Sequence, residues 1–370
     1  MSVNPLKKLE ALGQSIWLDF INRDLMQSGK LRKLIAEDGL RGVTSNPSIF
    51  EKAIVDSSDY DKDIQTMLKA GKDVNTIYET LTQQDIQQAA DQFRDLYHQT
   101  EAKDGYVCLE VNPHLAHDTE GTIAEARQLW KALNRPNVMI KVPGTKAGLP
   151  AITQLISEGI NVNVTLLFGV PRYQEVAEAH LKGLEARLAK GESLKHIASV
   201  ASFFLSRIDV LLDPKLGKVV AEGGEKAAVA KKLQAQVAIA SAKIAYQHYK
   251  KLIQNERFKK LQEKGAQPQR LLWASTSTKN PAYSDVMYVE ALIGVDTVNT
   301  LPVETLDAYR DHGNPKSELE QGIDFADWIF QQLPALGFSI DKITQQLEDE
   351  GVDKFIKSFD ELMAALKNKK

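Results

Sequence analysis

The chain has 370 residues, 43% of them hydrophobic and 26% charged, with only 13 prolines, which excludes disordered and collagen-like classes and leaves an ordinary globular protein. Its 46 basic and 49 acidic residues give a formal charge of −3 without a concentrated basic patch, so neither a nucleic-acid footprint nor an acidic tail is expected. No run approaches 18 apolar residues and Met1–Glu10 has no apolar signal core, so no membrane contact is expected and a cytoplasmic location is. The single cysteine, Cys108, rules out an internal disulfide and a cysteine-rich metal site, and its apolar surroundings predict a packing role.

Short apolar runs alternate with longer amphipathic stretches, the pattern of repeated β-α units around a parallel sheet. The runs are Ser15–Phe20, Gly42–Asn46, Tyr106–Val111, Val138–Pro143, Asn161–Phe168, Ala198–Phe204, Leu271–Thr276 and Thr297–Pro302. Most intervals between successive run ends suit one strand, one helix and two loops, since an eightfold barrel of about 250 residues spends about 31 per unit. Two intervals are longer and predict helical insertions within 51–105 and 207–270. In the second, the Ala-rich stretch from Glu225 to about Lys250 predicts one long helix. A C-terminal helical segment, 341–366, carries Ile343, Leu347, Phe355, Ile356, Phe359 and Leu362 on one side and could pack on the barrel or across its mouth. No linker divides the chain, so one α/β domain is expected over 1–370: a (β/α)8 TIM barrel with insertions and a C-terminal helix.

Strand ends carry the chemistry in such folds, and here they are polar. Alternation puts Asp19 with Trp17, Thr44 with Asn46, Glu110 with Tyr106 and Cys108, Lys141 with Met139, and Asn161 with Asn163 and Thr165. If these faces point into one barrel, Asp19, Asn46, Glu110, Lys141, Asn163 and Thr165 converge. Each has a plain structural explanation alone, a capping Asn or Asp, a surface Glu, a β-favouring Thr; six together at strand ends point to a site. Lys141 is its centre. Burial favours a neutral amine and a nearby carboxylate the ammonium, and the sequence leaves that balance open. An amine with two carboxylates in a closed site supplies the parts for Schiff-base chemistry on a carbonyl.

The loop Ala274–Asp285 offers hydroxyls and Lys279 beside Asn280-Pro281, an N-cap and first-turn pair that predicts a helix start and a phosphate cradle, with Arg207 as a second charge. His114 and His117 lack further ligand partners, so no metal site is expected, and no nucleotide-binding glycine motif is present.

Two segments, Gly42-Val-Thr-Ser-Asn-Pro-Ser-Ile-Phe50 and Val138-Met-Ile-Lys-Val-Pro-Gly-Thr-Lys-Ala-Gly148, resemble the signatures of the transaldolases, and Ile160–Phe168 is similar as well. The resemblance runs in order from Asp19 to about Asp307. It implies a class I barrel with Lys141 as the Schiff-base lysine, Asp19 and Glu110 as the acid/base pair and Thr165 holding a catalytic water. Asn46, Asn163 and Ser202 would bind the dihydroxyacetone unit, and Arg207 and Ser275 the phosphate. Thr44, Phe204 and Lys279 complete the substrate-binding candidates. The sequence departs from the family pattern two residues after Ser275, where Ser277 stands in place of an Arg and Lys279 follows. The long insertion after strand six and the Trp273–Pro281 string resemble a longer subfamily. The implied reaction transfers a dihydroxyacetone unit between small phosphorylated sugars in the pentose phosphate pathway, without metal or organic cofactor, by a monomer or homodimer. Two rivals remain at this stage: an aldolase of the fructose-6-phosphate type that releases dihydroxyacetone, and a non-catalytic phosphosugar-binding barrel.

Overall fold

A computed structural model describes residues 4–369. Eight parallel strands, β1 (Gln14–Leu18), β2 (Leu40–Val43), β3 (Tyr106–Glu110), β4 (Val138–Pro143), β5 (Val162–Leu167), β6 (Ser199–Phe204), β7 (Arg270–Ala274) and β8 (Thr297–Leu301), close in sequence order into a barrel. Helices surround it, so the strands are buried on both faces, which is why they read as near-continuous apolar runs. No helix among the described residues is long and apolar enough to cross a membrane.

The interior is filled in layers. Trp17 and Tyr106 pack with ring centroids 6.3 Å apart. Gly42 between them has no room for a side chain, since a Cβ there would lie 2.6 Å from the Trp17 ring and 2.8 Å from Tyr106 O. Toward the amino-terminal end of the barrel, Arg270 pairs with Asp104 at 2.9 Å and donates to Ser15 Oγ at 2.9 Å, so the buried guanidinium is satisfied. Register places Glu110 beside Lys141 and Lys141 beside Asn163, so three candidate residues on consecutive strands stand at one level.

Three expectations need correction. β2 begins and ends earlier than Gly42–Asn46, because Asn46 leaves the sheet to cap the helix Pro47–Val55, its Oδ1 accepting from Ile49 N at 3.0 Å. The predicted long helix is two, Glu225–Leu233 and Val237–Gln254, broken where Ala235 takes φ +58°. The cause is distant in sequence: Asp213 accepts from Ala235 N and Asp209 from Ala238 N, each at 3.0 Å, so two carboxylates of the helix Ser206–Glu222 hold the break. No helix starts at Pro281. Asn280 Oδ1 accepts from Ala282 N at 3.0 Å and Thr278 Oγ1 donates to Ser284 O at 2.7 Å, which closes a turn, and the next helix is Met287–Ala291.

The first long interval holds Asp61–Lys69, Val74–Gln92 and Arg94–Gln99 after the helix that follows β2. The C-terminal helix, Ile340–Asn368, lies across the carboxyl ends of the strands. It brings Phe355 over Lys141 and is fastened by Arg172–Glu348 (3.0 Å) and Ser48–Ser358 (2.6 Å).

Candidate active site

Lys141 is 4% exposed. Its Nζ donates to Ser45 O at 3.1 Å, stands 3.2 Å from Glu110 Oε2 and lies 5.6 Å from the centroid of the Phe355 ring. The contact with Glu110 is an ion pair by distance; its geometry leaves both Glu110 carboxylate oxygens without a hydrogen-bond partner among the described residues. Burial raises the Glu110 carboxyl above its ordinary value, the Lys141 cation opposes the shift and Asp19 adds to it.

A cavity of about 140 Å³ opens in front of Lys141, with Asp19, Thr44, Asn46, Thr165 and Ser202 on its walls. Cavities of about 820 and 650 Å³ lie in the outer helical layer, but their walls include neither Lys141 nor Glu110, so chemistry and not volume singles out the smaller one. Thr44 Oγ1 donates to Asp19 Oδ1 at 2.7 Å and is 2.6 Å from Thr300 Oγ1. Burial raises the Asp19 carboxyl, against the Lys141 charge and the Thr44 hydrogen bond. Thr165 Oγ1 is buried without a protein partner. Asn46 spends its Oδ1 on the helix cap, which leaves its amide nitrogen to donate into the cavity.

Asn163 and Glu110 stand behind the wall. Asn163 Oδ1 accepts from Ser202 Oγ at 2.7 Å and its Nδ2 approaches Cys108 Sγ at 3.3 Å, so it orients Ser202 from below. Asn161 is lower still, bonded to Pro136 O and Val138 O at 3.0 and 3.1 Å. Cys108 is buried, and burial pushes its thiol up to about 12, which fits the packing role expected of it.

The mouth is cationic. Arg207 lies 5.3 Å from the Phe204 ring centroid and 6.0 Å from that of Phe168, and burial lowers its pKa. Ser275, held at φ +56° with its Oγ 2.8 Å from Ser206 Oγ, lines the same cavity as Ser277 and Lys279. Lys279 Nζ donates to Ser277 Oγ at 2.5 Å, so both residues at the point of departure from the family pattern face the mouth. Of the other loop hydroxyls, Thr276 donates to Thr300 O and Thr278 to Ser284 O, so the cradle is narrower than the loop composition suggested.

Sequence reasoning missed Phe355 and Thr300 as site components. Phe355 was legible only as part of an apolar helix face. Lys354, one residue before it, has its ammonium held below the usual range first by the Arg207 guanidinium, then by burial and by the Lys279 and Lys52 charges. His114 meets Asp360 of the C-terminal helix at 2.8 Å, a loop-to-helix contact, and no cluster of three or more metal-ligating side chains occurs among the described residues.

The sequence profile of a family described as Transaldolase/Fructose-6-phosphate aldolase matches residues 16–366. A curated protein named Transaldolase from Trichodesmium erythraeum is 53% identical over 378 residues, covering 100% of this chain and 98% of its own. Transaldolase 2 from Nostoc punctiforme is 49% identical over 100% of this chain and 98% of its own. Transaldolase from Saccharopolyspora erythraea is 46% identical over 98% of this chain and 96% of its own.

Proposed function

Because the chain belongs to the transaldolase/fructose-6-phosphate aldolase family, we propose that it is a cytoplasmic transaldolase that moves a dihydroxyacetone unit from sedoheptulose 7-phosphate or fructose 6-phosphate to an aldose phosphate, in the pentose phosphate pathway. The observation that carries this reading is Lys141, buried at 4% exposure, with Glu110 at 3.2 Å behind it and the Asp19 cavity in front.

Lys141 passes a proton to Glu110 and attacks the donor ketone. Glu110 returns the proton to the carbinolamine hydroxyl, which leaves as water in the space served by Thr165 Oγ1. The resulting iminium is the electron sink, so the scheme needs no cofactor. Asp19, held by Thr44, takes the C4 hydroxyl proton as the C3–C4 bond breaks. The enamine stays on Lys141, attacks the acceptor aldehyde and regains a ketose skeleton as Asp19 gives its proton back. Hydrolysis then frees the lysine. Asn46 and Ser202 hold the hydroxyls of the three-carbon unit, with Asn163 fixing Ser202. Arg207, Ser275 and Lys279 take the phosphate, and Phe204 stacks behind Arg207.

Borohydride with fructose 6-phosphate should attach a three-carbon unit to Lys141, read by peptide mass spectrometry, and EDTA should leave turnover intact. A label confined to another lysine overturns the assignment. The family description also names an aldolase, so products are to be analysed with and without acceptor: a transferase makes a new ketose phosphate, whereas the aldolase accumulates free dihydroxyacetone in both cases.

A further inference from the structure

Glu110 has a second neighbourhood on the side away from the substrate cavity. A cavity of about 170 Å³ lies there between β3, the helices Val74–Gln92 and Thr119–Leu133, and Phe359 of the C-terminal helix, and Glu110 is part of its wall. Its lining is polar on most sides: Tyr78, Glu79, Thr82, Asn112 and Glu125 face it. Asn75, exposed, and Glu79, half-buried, stand at its outer rim, so it communicates with solvent through the helical layer and not through the barrel mouth.

Two observations indicate that this is more than a packing gap. The Glu110 side chain is 3% exposed; Lys141 Nζ meets Oε2 at 3.2 Å as an ion pair, but among the described residues neither oxygen has a hydrogen-bond partner in good geometry and Oε1 has no protein donor at all. Opposite it, Glu125 is anchored by Asn112 N at 3.1 Å, and burial raises its carboxyl above the ordinary range. A polar cavity needs only about 10–15 Å³ of such volume per water, so this one has room for several among the polar residues that line it.

We propose that this second cavity is a rear water chamber through which Glu110 exchanges water and protons with solvent while the substrate occupies the front. The inference rests on the imine chemistry assigned to Lys141. Forming the imine releases one water, and hydrolysing it takes one up. With a phosphosugar in the 140 Å³ front cavity and Phe355 above it, the front route is blocked during both steps. Water released beside Thr165 when Glu110 protonates the carbinolamine hydroxyl passes by Glu110 into the chamber, and one returns the same way when the iminium is hydrolysed. Glu125 keeps those waters in proton exchange with bulk solvent. It is a positioning residue, acting on Glu110 through them.

The test measures exchange against turnover in water enriched in oxygen-18. The wild-type enzyme with fructose 6-phosphate should place the label at C2 of the recovered donor at a rate comparable to imine formation. Glu125→Gln, which keeps shape and loses ionisation, should slow imine formation about tenfold, less than the about 10²–10⁴-fold of a directly positioned proton carrier because it acts through water, and change the solvent deuterium isotope effect on that step with the donor KM unmoved. Asn75→Phe, at an exposed rim position where folding is not at stake, should lower the ratio of label exchange to turnover severalfold. If both variants match the wild type in exchange ratio and isotope effect, the chamber has no such role. If the wild type itself forms no borohydride-trapped adduct, the reading of Lys141 fails first, and the two failures are thereby distinct.

Discussion

Asp19 and Glu110 are both carboxyls raised by burial, yet their surroundings separate their work. Glu110 is the register neighbour of Lys141 on the adjacent strand, whereas Asp19 comes from β1 and is turned by Thr44 toward the cavity. Asp19→Asn should slow C3–C4 cleavage about 10²–10⁴-fold while the imine still forms, so reduction traps the whole donor skeleton on Lys141. Glu110→Gln should slow the appearance of any adduct. Quenched single turnovers read by mass spectrometry decide it, and the reverse pattern would exchange the two roles. Arg207→Ala should raise KM for a phosphorylated donor about ten- to a hundredfold, the worth of one charge-assisted contact, and leave unphosphorylated donors little changed. Lys279→Ala should act in the same sense, and equal loss for both donor types would place the phosphate elsewhere. At this scale the strand-borne residues were legible because alternation fixes which way each points, as with Lys141 and Thr165. Asn46 was only half legible: its position was right, but the sequence could not show that one amide serves both a helix cap and the cavity. Lys354 was not legible at all, since its place depends on where a distant helix comes to rest.

That helix is the element on which the site's enclosure depends. It carries Gly351 inside a long helix, where glycine costs roughly 1 kcal/mol relative to alanine. The reason is close approach: a Cβ there would stand 3.1 Å from Leu166 Cδ2 and 3.5 Å from Arg207 Nη1. Arg172 fastens the same helix through Glu348, a pair in which both side chains are at most 10% exposed. Removing one member of such a pair strands the other, so Arg172→Ala should loosen Ile340–Asn368 at a cost on the order of 3 kcal/mol. Hydrogen exchange should rise in this helix before it rises in the strands, and activity should fall with the loss of Phe355 from above Lys141; unchanged protection over 340–368 would refute the fastening role. Helix existence was readable here from apolar spacing, and so were the strands. The break at Ala235 and the turn at Asn280 were not, because in the first case carboxylates from another helix overrode strong local propensity, and in the second a side-chain turn overrode a cap signal.

Across the whole molecule, two buried groups pull stability in opposite directions with pH. Burial, reinforced by Asp213, raises Asp209 from 3.8 to about 7. The folded state therefore holds its proton more tightly, and this contribution falls as pH rises from about 4 to about 7. Burial lowers His180 from 6.5 to about 4, so the unfolded chain binds the extra proton and this contribution grows from about pH 4 to 6.5. Asp209→Asn should thus make stability climb more steeply with pH between 4.5 and 6.5 than in the wild type, measured as urea midpoints; an unaltered slope would contradict the buried protonated carboxyl. Gly42→Ala should be costly as well, on the order of 1–3 kcal/mol from overpacking against Trp17, with a lowered Tm as its readout. Closure of the sheet has a consequence of another kind. A strand order that runs β1 to β8 and pairs β8 back to β1 leaves, among the described residues, no barrel edge with a row of free backbone donors and acceptors. The barrel offers a second copy of this chain no open edge to extend strand to strand. Any assembly it makes must be read out by side chains on helices and loops, where sequence can tune it without disturbing the hydrogen-bonded ring that holds Lys141.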